Sequence, residues 1–345
     1  MPASPGYPTH DAEGATVTVA LIPVDAVEVT LVMDLSLDIL MAGQVGVQRF
    51  KLAYDWSDHD SLLAEHGFSA LVTVESEGRR RSVLYDGGLS ALALQHNLDV
   101  MQIDVTDLRA IAISHGHVDH HGGLEGLFRR HGPMKLPLII HPDAWRDRKL
   151  VFPTGAEMHL PPPRQNDLER EGLTVIEERG PTLLIDEAVL VSGQVERVTS
   201  YEKGLPVQMA RSDSGADWEP DPWTWDDQNV VVNVRDRGLV IVTGCSHAGV
   251  VNVVRNAQRV TGEHRVAGLI GGFHLTGAVF EPLIPATVAD VTALGAERIV
   301  PAHCTGWRAM HALASALPDA FVQPSVGTVF EFRAPPTDEG TAVAT

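Results

Sequence analysis

The chain predicts an α/β fold, a four-layer αββα sandwich in which two mixed sheets pack face to face with helices outside. Three features of its 345 residues point there. Each half opens with a run of strands and then alternates strands with helices, the order that suits mixed sheets covered on their outer faces. No stretch is rich enough in Pro, Gly and Ser to divide the halves, so one domain is expected over 28–332, between a loose leader at 1–27 and a loose tail at 333–345. The sixteen histidines also fall repeatedly at the ends of predicted strands.

Composition narrows the class. Hydrophobic residues make up 44% and charged residues 21%, a globular balance that excludes disordered, coiled-coil and collagen-like chains. No run approaches the ~18 apolar residues of a membrane helix. The N-terminus lacks the basic cluster and apolar core of a secretory signal. Lys and Arg number 26 against 45 Asp and Glu, a net charge of −19. Such a surface repels phosphate backbones. The expected partner is a small-molecule substrate, with neither nucleic acid nor membrane, and the oligomeric state is left open. The basic run Arg79-Arg80-Arg81 reads as a charged turn. Cys245 and Cys304 are too few for a disulfide framework, which fits a reducing, cytoplasmic setting.

The elements follow in order. Residues 28–33 (EVTLVM) alternate and are rich in β-branched side chains, so they predict a strand. Residues 70–75 and 82–85 predict a hairpin around Glu77-Gly78, ending in the turn Asp86-Gly87-Gly88. A helix is expected at 90–95, then a short buried strand at 108–113 that runs into Ser114-His115-Gly116-His117. A helix at 123–130 and a buried strand at 136–140 follow. Three prolines, 161–163, break any helix. Short strands are expected at 173–178, 182–185 and 189–191. Residues 151–167 look irregular. Residues 204–225 carry Trp218, Trp223 and Trp225 with no period and predict a long loop, either a lid or a surface loop whose tryptophans pack down. Strands at 229–234 and 239–243, a helix at 250–259, a strand at 266–270 ending in Gly271-Gly272-Phe273-His274, and a helix at 286–294 complete most of the second half. A strand at 298–301 before His303, a helix at 305–317 and a strand at 326–332 close the pattern.

The chemistry concentrates in His115-Gly116-His117-Val118-Asp119-His120. Imidazole and carboxylate together suit Zn, Fe, Mn or Ni. Residues i and i+2 of extended backbone point the same way, so His115 and His117 can share one metal. The following turn aims Asp119 and His120 at a second. His121 is expected to face away.

The segment 114–124 (SHGHVDHHGGL) resembles the signature of the metallo-β-lactamase superfamily. EHGFS at 65–69, YDGG at 85–88, TGCSHAGVVN at 243–252, GGFHL at 271–275 and PAHCTG at 301–306 resemble one branch of it. That branch includes an archaeal dihydropterin-ribofuranosylaminobenzene 5′-phosphate synthase and many uncharacterised metal-dependent hydrolases. The resemblance covers about 28–332 and implies an αββα sandwich of the metallo-β-lactamase type, with strand ends converging on one edge. It implies that Asp86 orients a ligand histidine, the role that fixes tautomer and basicity. It implies that His303 joins Asp119 and His120 on the second metal, with Cys304 pointing the other way as a small packed residue.

The family pattern is broken at one place. Gly244-Cys245 stands where many relatives carry Gly-Asp, and the usual third histidine of the first metal is absent upstream. Two candidates complete the site: the imidazole of His247 and the thiolate of Cys245. His274 either binds metal or donates a proton to a leaving group. His66 approaches the site. Arg197, in SGQVERVTSYE at 192–202, either pairs with an anionic substrate group or forms an internal salt bridge to Glu196 or Glu202.

The resulting expectation is a metal-dependent hydrolase with two divalent ions, zinc first and iron or manganese as alternatives. The metals would lower the pKa of a bound water to about 7, and the hydroxide would attack an ester, lactone or phosphoester. Asp119 would orient the nucleophile and His274 would protonate the leaving group. Two other readings stand beside it. One is pterin-type synthase or lyase chemistry on a phosphorylated substrate with the same metals. The other is a non-hydrolytic iron redox or ligand-sensing protein on the same fold.

Overall fold

Both faces of the predicted strands are apolar, and the reason is visible in the layers. The computed structural model describes residues 18–50, 60–212 and 214–336. An eight-stranded sheet runs in the order Val47–Gln48, Val329–Arg333, Ala26–Met33, Ser69–Ser76, Arg79–Tyr85, Leu108–Ala112, Pro137–Ile140, Thr174–Glu177. A six-stranded sheet runs Thr182–Leu184, Val189–Val191, Val230–Val234, Gly238–Thr243, Val266–Gly272, Arg298–Ala302. Alternate residues of each strand face opposite ways. Thus Val189, Val191, Val230, Val232, Val240 and Val242 join the core between the sheets. Leu190, Val231, Leu239 and Ile241 instead pack outward under the helices Val250–Thr261, Ile284–Leu294 and Trp307–Ala316. The helices Ala91–Val100 and Leu124–His131 cover the far face of the larger sheet in the same way. The four-layer α/β sandwich expected from the sequence is therefore present. Among the described residues no helix is long and apolar enough to cross a membrane.

The packed fold extends a few residues beyond 28–332 at both flanks. Val24 is fully buried and its backbone N–H donates to the Asn233 carbonyl, so the packed fold begins before residue 28. Residues 1–17 of the expected leader, and 337–345 of the expected tail, lie outside the described residues. Arg333 still belongs to a strand.

The parallel strands fix where chemistry can occur. Arg79–Tyr85, Leu108–Ala112, Pro137–Ile140 and Thr174–Glu177 run parallel, as do Gly238–Thr243, Val266–Gly272 and Arg298–Ala302. Ligands bind outside the carboxyl ends of such strands. Asp86 and His303 follow those ends directly, and Cys245, His274 and His115 come within three residues of them.

One expectation fails. Residues 204–225 are not an irregular loop, and 151–167 are not irregular throughout. Strands Gln208–Arg211 and Trp218–Pro220 join Arg148–Val151 and Glu157–Leu160 in a third, four-stranded antiparallel sheet. Its strands are three or four residues long, too short to print a period on the sequence. Trp218 is not free to act as a lid, because the Lys149 ammonium and the Arg211 guanidinium sit over its ring at 4.7 and 4.2 Å.

The small sheet is anchored by a buried ion network. Arg148 is fully buried; its Nε donates to Asp221 Oδ2 at 2.8 Å, and Nη1 and Nη2 donate to Asp226 at 2.8 and 2.6 Å. Truncating one partner of such a network leaves uncompensated buried charge. Arg148→Ala should therefore lower unfolding free energy by about 3–5 kcal/mol in urea melts, whereas Arg129→Ala, in a largely exposed i,i+4 pair with Glu125, should change it by less than about 1 kcal/mol.

Candidate metal centre

The HGHVDH segment is built by a strand-to-helix turn. After Leu108–Ala112 the backbone bends at Ser114 and Gly116, is extended at His117, and then enters the short helix Val118–His121. Gly116 is obligatory here, since a Cβ would lie 2.2 Å from the Ala144 carbonyl oxygen. Its N–H donates to Asp226 Oδ2 at 2.7 Å, which ties the turn to the Arg148 network. His115 Nε2 and His117 Nδ1 face each other at 2.9 Å. The other nitrogen of each ring is fixed: His115 Nδ1 lies 2.9 Å from Ser114 Oγ, and His117 Nε2 lies 2.7 Å from Gln208 Oε1.

His247 completes a cluster with this pair. Its ring centroid is 4.7 Å from that of His115 and 4.8 Å from that of His117. It is buried, and neither of its ring nitrogens has a hydrogen-bond partner. One donor nitrogen from each of the three lies within 4.8 Å of the others. Burial pushes all three imidazoles down, His117 to about 4, and the neighbouring histidine or arginine charges add to the effect. They are therefore neutral near pH 7, the form in which a nitrogen lone pair is free to bind a cation.

A second cluster forms around Asp119. Its Oδ2 lies 3.3 Å from His303 Nε2, 3.5 Å from His66 Nε2 and 3.8 Å from His120 Nε2. Burial would raise the Asp119 carboxyl, but the charges of His120 and His303 and the His303 hydrogen bond outweigh it and hold the group well below the usual range. Burial would lower His303, yet the Cys304 charge and Asp119 raise it to about 9. The His303 backbone N–H also donates to the buried Asp34 at 2.7 Å. His66 is the solvent-facing member, its side chain 62% exposed.

Cys245 lies between the two clusters, with its Sγ 3.2 Å from His120 Nε2. Its sulfur shares separate groupings with His115 and His120, with His247 and His274, and with His303 and Cys304. Both candidates are thus at the site, His247 beside the first pair and Cys245 against His120. Asp86 accepts from His120 Nδ1 at 2.6 Å and from the Ser114 N–H and Oγ–H at 2.7 Å each. His274 packs its ring 4.3 Å from His247 and 4.6 Å from Phe280.

Two expectations need correction. Cys304 does not point away, because its Sγ lies 3.2 Å from that of Cys245. Burial pushes the Cys245 thiol up, while the Cys245 hydrogen bond and the charge of His303 bring Cys304 down against its own burial. Arg197 is outside the clusters. It donates to the Trp223 carbonyl and lies over the rings of Trp225 and Trp223 at 4.7 and 5.4 Å. Burial drives its guanidinium down to about 10. Neither expected salt bridge forms: Glu196 lies 3.6 Å from Arg259, and Glu202 accepts from the Val251 and Asn252 N–H groups at the start of the helix Val250–Thr261. His121 does face away from the clusters, with Nε2 3.3 Å from the Pro161 carbonyl.

Sequence reasoning missed Gln208 and Asp34. Gln208 gives no signal, because nothing local shows that a residue 91 positions away reaches His117. Asp34 had a usable one, since like Asp86 it stands directly after a predicted strand.

Comparison with known proteins agrees with this architecture. The chain is 28% identical over 293 residues to the 7,8-dihydropterin-6-methyl-4-(beta-D-ribofuranosyl)-aminobenzene-5'-phosphate synthase of Methanocaldococcus jannaschii, covering 83% of this chain and 97% of that protein. It is 28% identical over 285 residues to an uncharacterized protein of the same organism, covering 81% and 98%. The crystal structure of a metal-dependent hydrolase of the beta-lactamase superfamily shares the fold, with a TM-score of 0.68, 24% identity, and coverage of 89% of this chain and all of that one. The model of the metallo-beta-lactamase superfamily matches residues 66–303, from the solvent-facing histidine of the second cluster to its last buried one, and the chain belongs to that superfamily.

Proposed function

We propose that the protein is a metal-dependent hydrolase acting on an ester, lactone or phosphoester of a small molecule. The observation that carries the reading is His247, a buried imidazole with no partner for either nitrogen, set beside two more neutral imidazoles. Unpartnered buried polar groups are costly and rare. One such ring, set against two neutral imidazoles around one point, fits a divalent cation and fits little else. His115, His117 and His247 would hold one ion, and Asp119, His120 and His303 a second, with Cys245 between them. Imidazole and thiolate together suit zinc, and iron is compatible. Bound metal supplies Lewis acidity and brings water towards ionisation near neutral pH.

The chain's own residues do the rest. Asp86 and Gln208 fix the far nitrogens of His120 and His117, so each ring offers one defined lone pair. Asp119 stays ionised and accepts a hydrogen bond from an incoming nucleophile. A small open cleft lies beside His247 and His274, lined also by Lys203, Leu275 and Phe280. His274, with Nδ1 unpartnered, stands where it can hand a proton to a leaving group. Lys203, exposed at the rim, offers the cation for an anionic substrate group that Arg197 does not.

Synthase chemistry on a phosphorylated substrate is the second reading, favoured by the name of the archaeal relative. The two separate in a screen of phosphodiesters, lactones and thioesters on metal-replete protein with a His117→Ala control. Turnover lost in the control supports hydrolysis. Intact substrates throughout favour the synthase.

Metal content tests the ligand set. His247→Ala and His120→Ala should each lose about one equivalent of metal by elemental analysis together with most of the activity. Full metal and full turnover in either variant would remove that residue from the site. Gln208→Leu should keep the fold but weaken metal binding by about 10–100-fold in a chelator competition, because His117 loses its orienting acceptor.

A further inference from the structure

Cys245 and Cys304 are the chain's two cysteines, and the fold brings them together from 59 residues apart. They follow the ends of the strands Gly238–Thr243 and Arg298–Ala302, on either side of Val266–Gly272. The strand between them ends in a glycine for a reason. A Cβ on Gly272 would lie 2.8 Å from Cys304 Sγ and 3.3 Å from Cys245 Cα, so any side chain there would displace the sulfur. His303 takes a left-handed backbone conformation, φ +47°. That twist lets its ring meet Asp119 while the next residue, Cys304, meets Cys245.

The spacing of the sulfurs is informative. At 3.2 Å they are more than 1 Å too far apart for a disulfide, whose bond is about 2.05 Å. One tetrahedral ion with metal–sulfur bonds of about 2.3 Å spans two sulfurs about 3.8 Å apart, a few tenths of an ångström of movement on each side. Cys304 also has a third donor at hand, since donor atoms of Cys245, His303 and Cys304 all lie within 4.8 Å of one another. A cysteine that merely fills space would sit among apolar side chains. This one faces a thiol and an imidazole.

We propose that Cys304 is itself a metal-ligating residue, pairing with Cys245 to give the second metal position a dithiolate face beside His303. The inference rests on the metal-centre reading above and adds to it the class of ion. Two thiolates select a soft, thiophilic divalent cation such as zinc over manganese or magnesium. Binding replaces the protons still held by the sulfurs with the cation and releases them to solvent, with no change of oxidation state.

Cadmium reads out thiolate ligation directly, through sulfur-to-metal charge-transfer absorption in the ultraviolet. Full-length protein is stripped of metal under reductant and titrated with Cd²⁺, and bound cadmium is measured in parallel by elemental analysis. The wild type should show the absorption, and Cys304→Ser and Cys245→Ser should each lower it to about half per bound ion, the double variant abolishing it. Full absorption in Cys304→Ser, with total loss in Cys245→Ser, would overturn the inference and leave the metal centre standing. A wild type that binds neither cadmium nor zinc would overturn both. Should Cys304→Ser fail to fold, alkylation of the wild type decides. Cd²⁺ must slow modification of Cys304, followed by peptide mass, and an unchanged rate would sink the proposal.

Discussion

A buried carboxyl group must have its oxygens met by donors, and at Asp86 that requirement organises the whole histidine-bearing edge. Asp86 is completely buried at the end of Arg79–Tyr85, in a left-handed conformation with φ +62°. It takes two hydrogen bonds from Ser114, at the end of the neighbouring parallel strand, and one from His120, beyond the turn. An intramolecular hydrogen bond is worth roughly 0.5–1.5 kcal/mol net. Three such bonds fix the strand ends, the turn and the ring of His120 in one arrangement. Tyr85, one residue earlier, extends the lock to the other sheet. Its hydroxyl donates to the Gln228 carbonyl at 2.7 Å and accepts from the Gly244 N–H at 3.0 Å. The HGHVDH turn and the Cys245–His247 loop are thereby held in register across the sandwich.

A second lock comes from the small antiparallel sheet. Arg148 holds Asp226, and Asp226 in turn accepts from the Gly116 N–H inside the histidine motif. From the same sheet Gln208 reaches His117; its amide nitrogen donates to the Asp221 carbonyl and to Thr224 Oγ1. With its amide so held, the Gln208 oxygen has one orientation, facing the imidazole. The small sheet is thus a wall that sets the direction of the His117 ring.

Backbone strain accompanies this precision. Asp86, Ser246, His274 and His303 all have positive φ without being glycine. Each follows a strand of the sandwich, where the chain must turn sharply for its side chain to point along the sheet edge. Such conformations cost of order 1–3 kcal/mol each and persist where surrounding contacts over-determine them. Ser246 shows the compensation, with Oγ 2.7 Å from both the Gly272 carbonyl and Thr243 Oγ1.

The amino-acid sequence by itself determined the layers and the position of the chemistry. Strands such as 230–234 and 238–243 are apolar on both faces because they lie between a sheet and a helix layer, and their flanking glycines mark the turns. His115, His117, Asp119 and His120 were legible because i, i+2 spacing followed by a turn is a local geometry that needs no distant partner. Only the tertiary structure decided what distant residues do. It placed His247 with the first pair and Cys245 between the clusters, where reading along the chain left both as candidates. It turned Cys304 inward, enclosed Arg197 under two tryptophans, and made a sheet of residues that show no period. In each case the deciding contact joins side chains tens of residues apart, or strands too short to repeat, and a local pattern carries no trace of either.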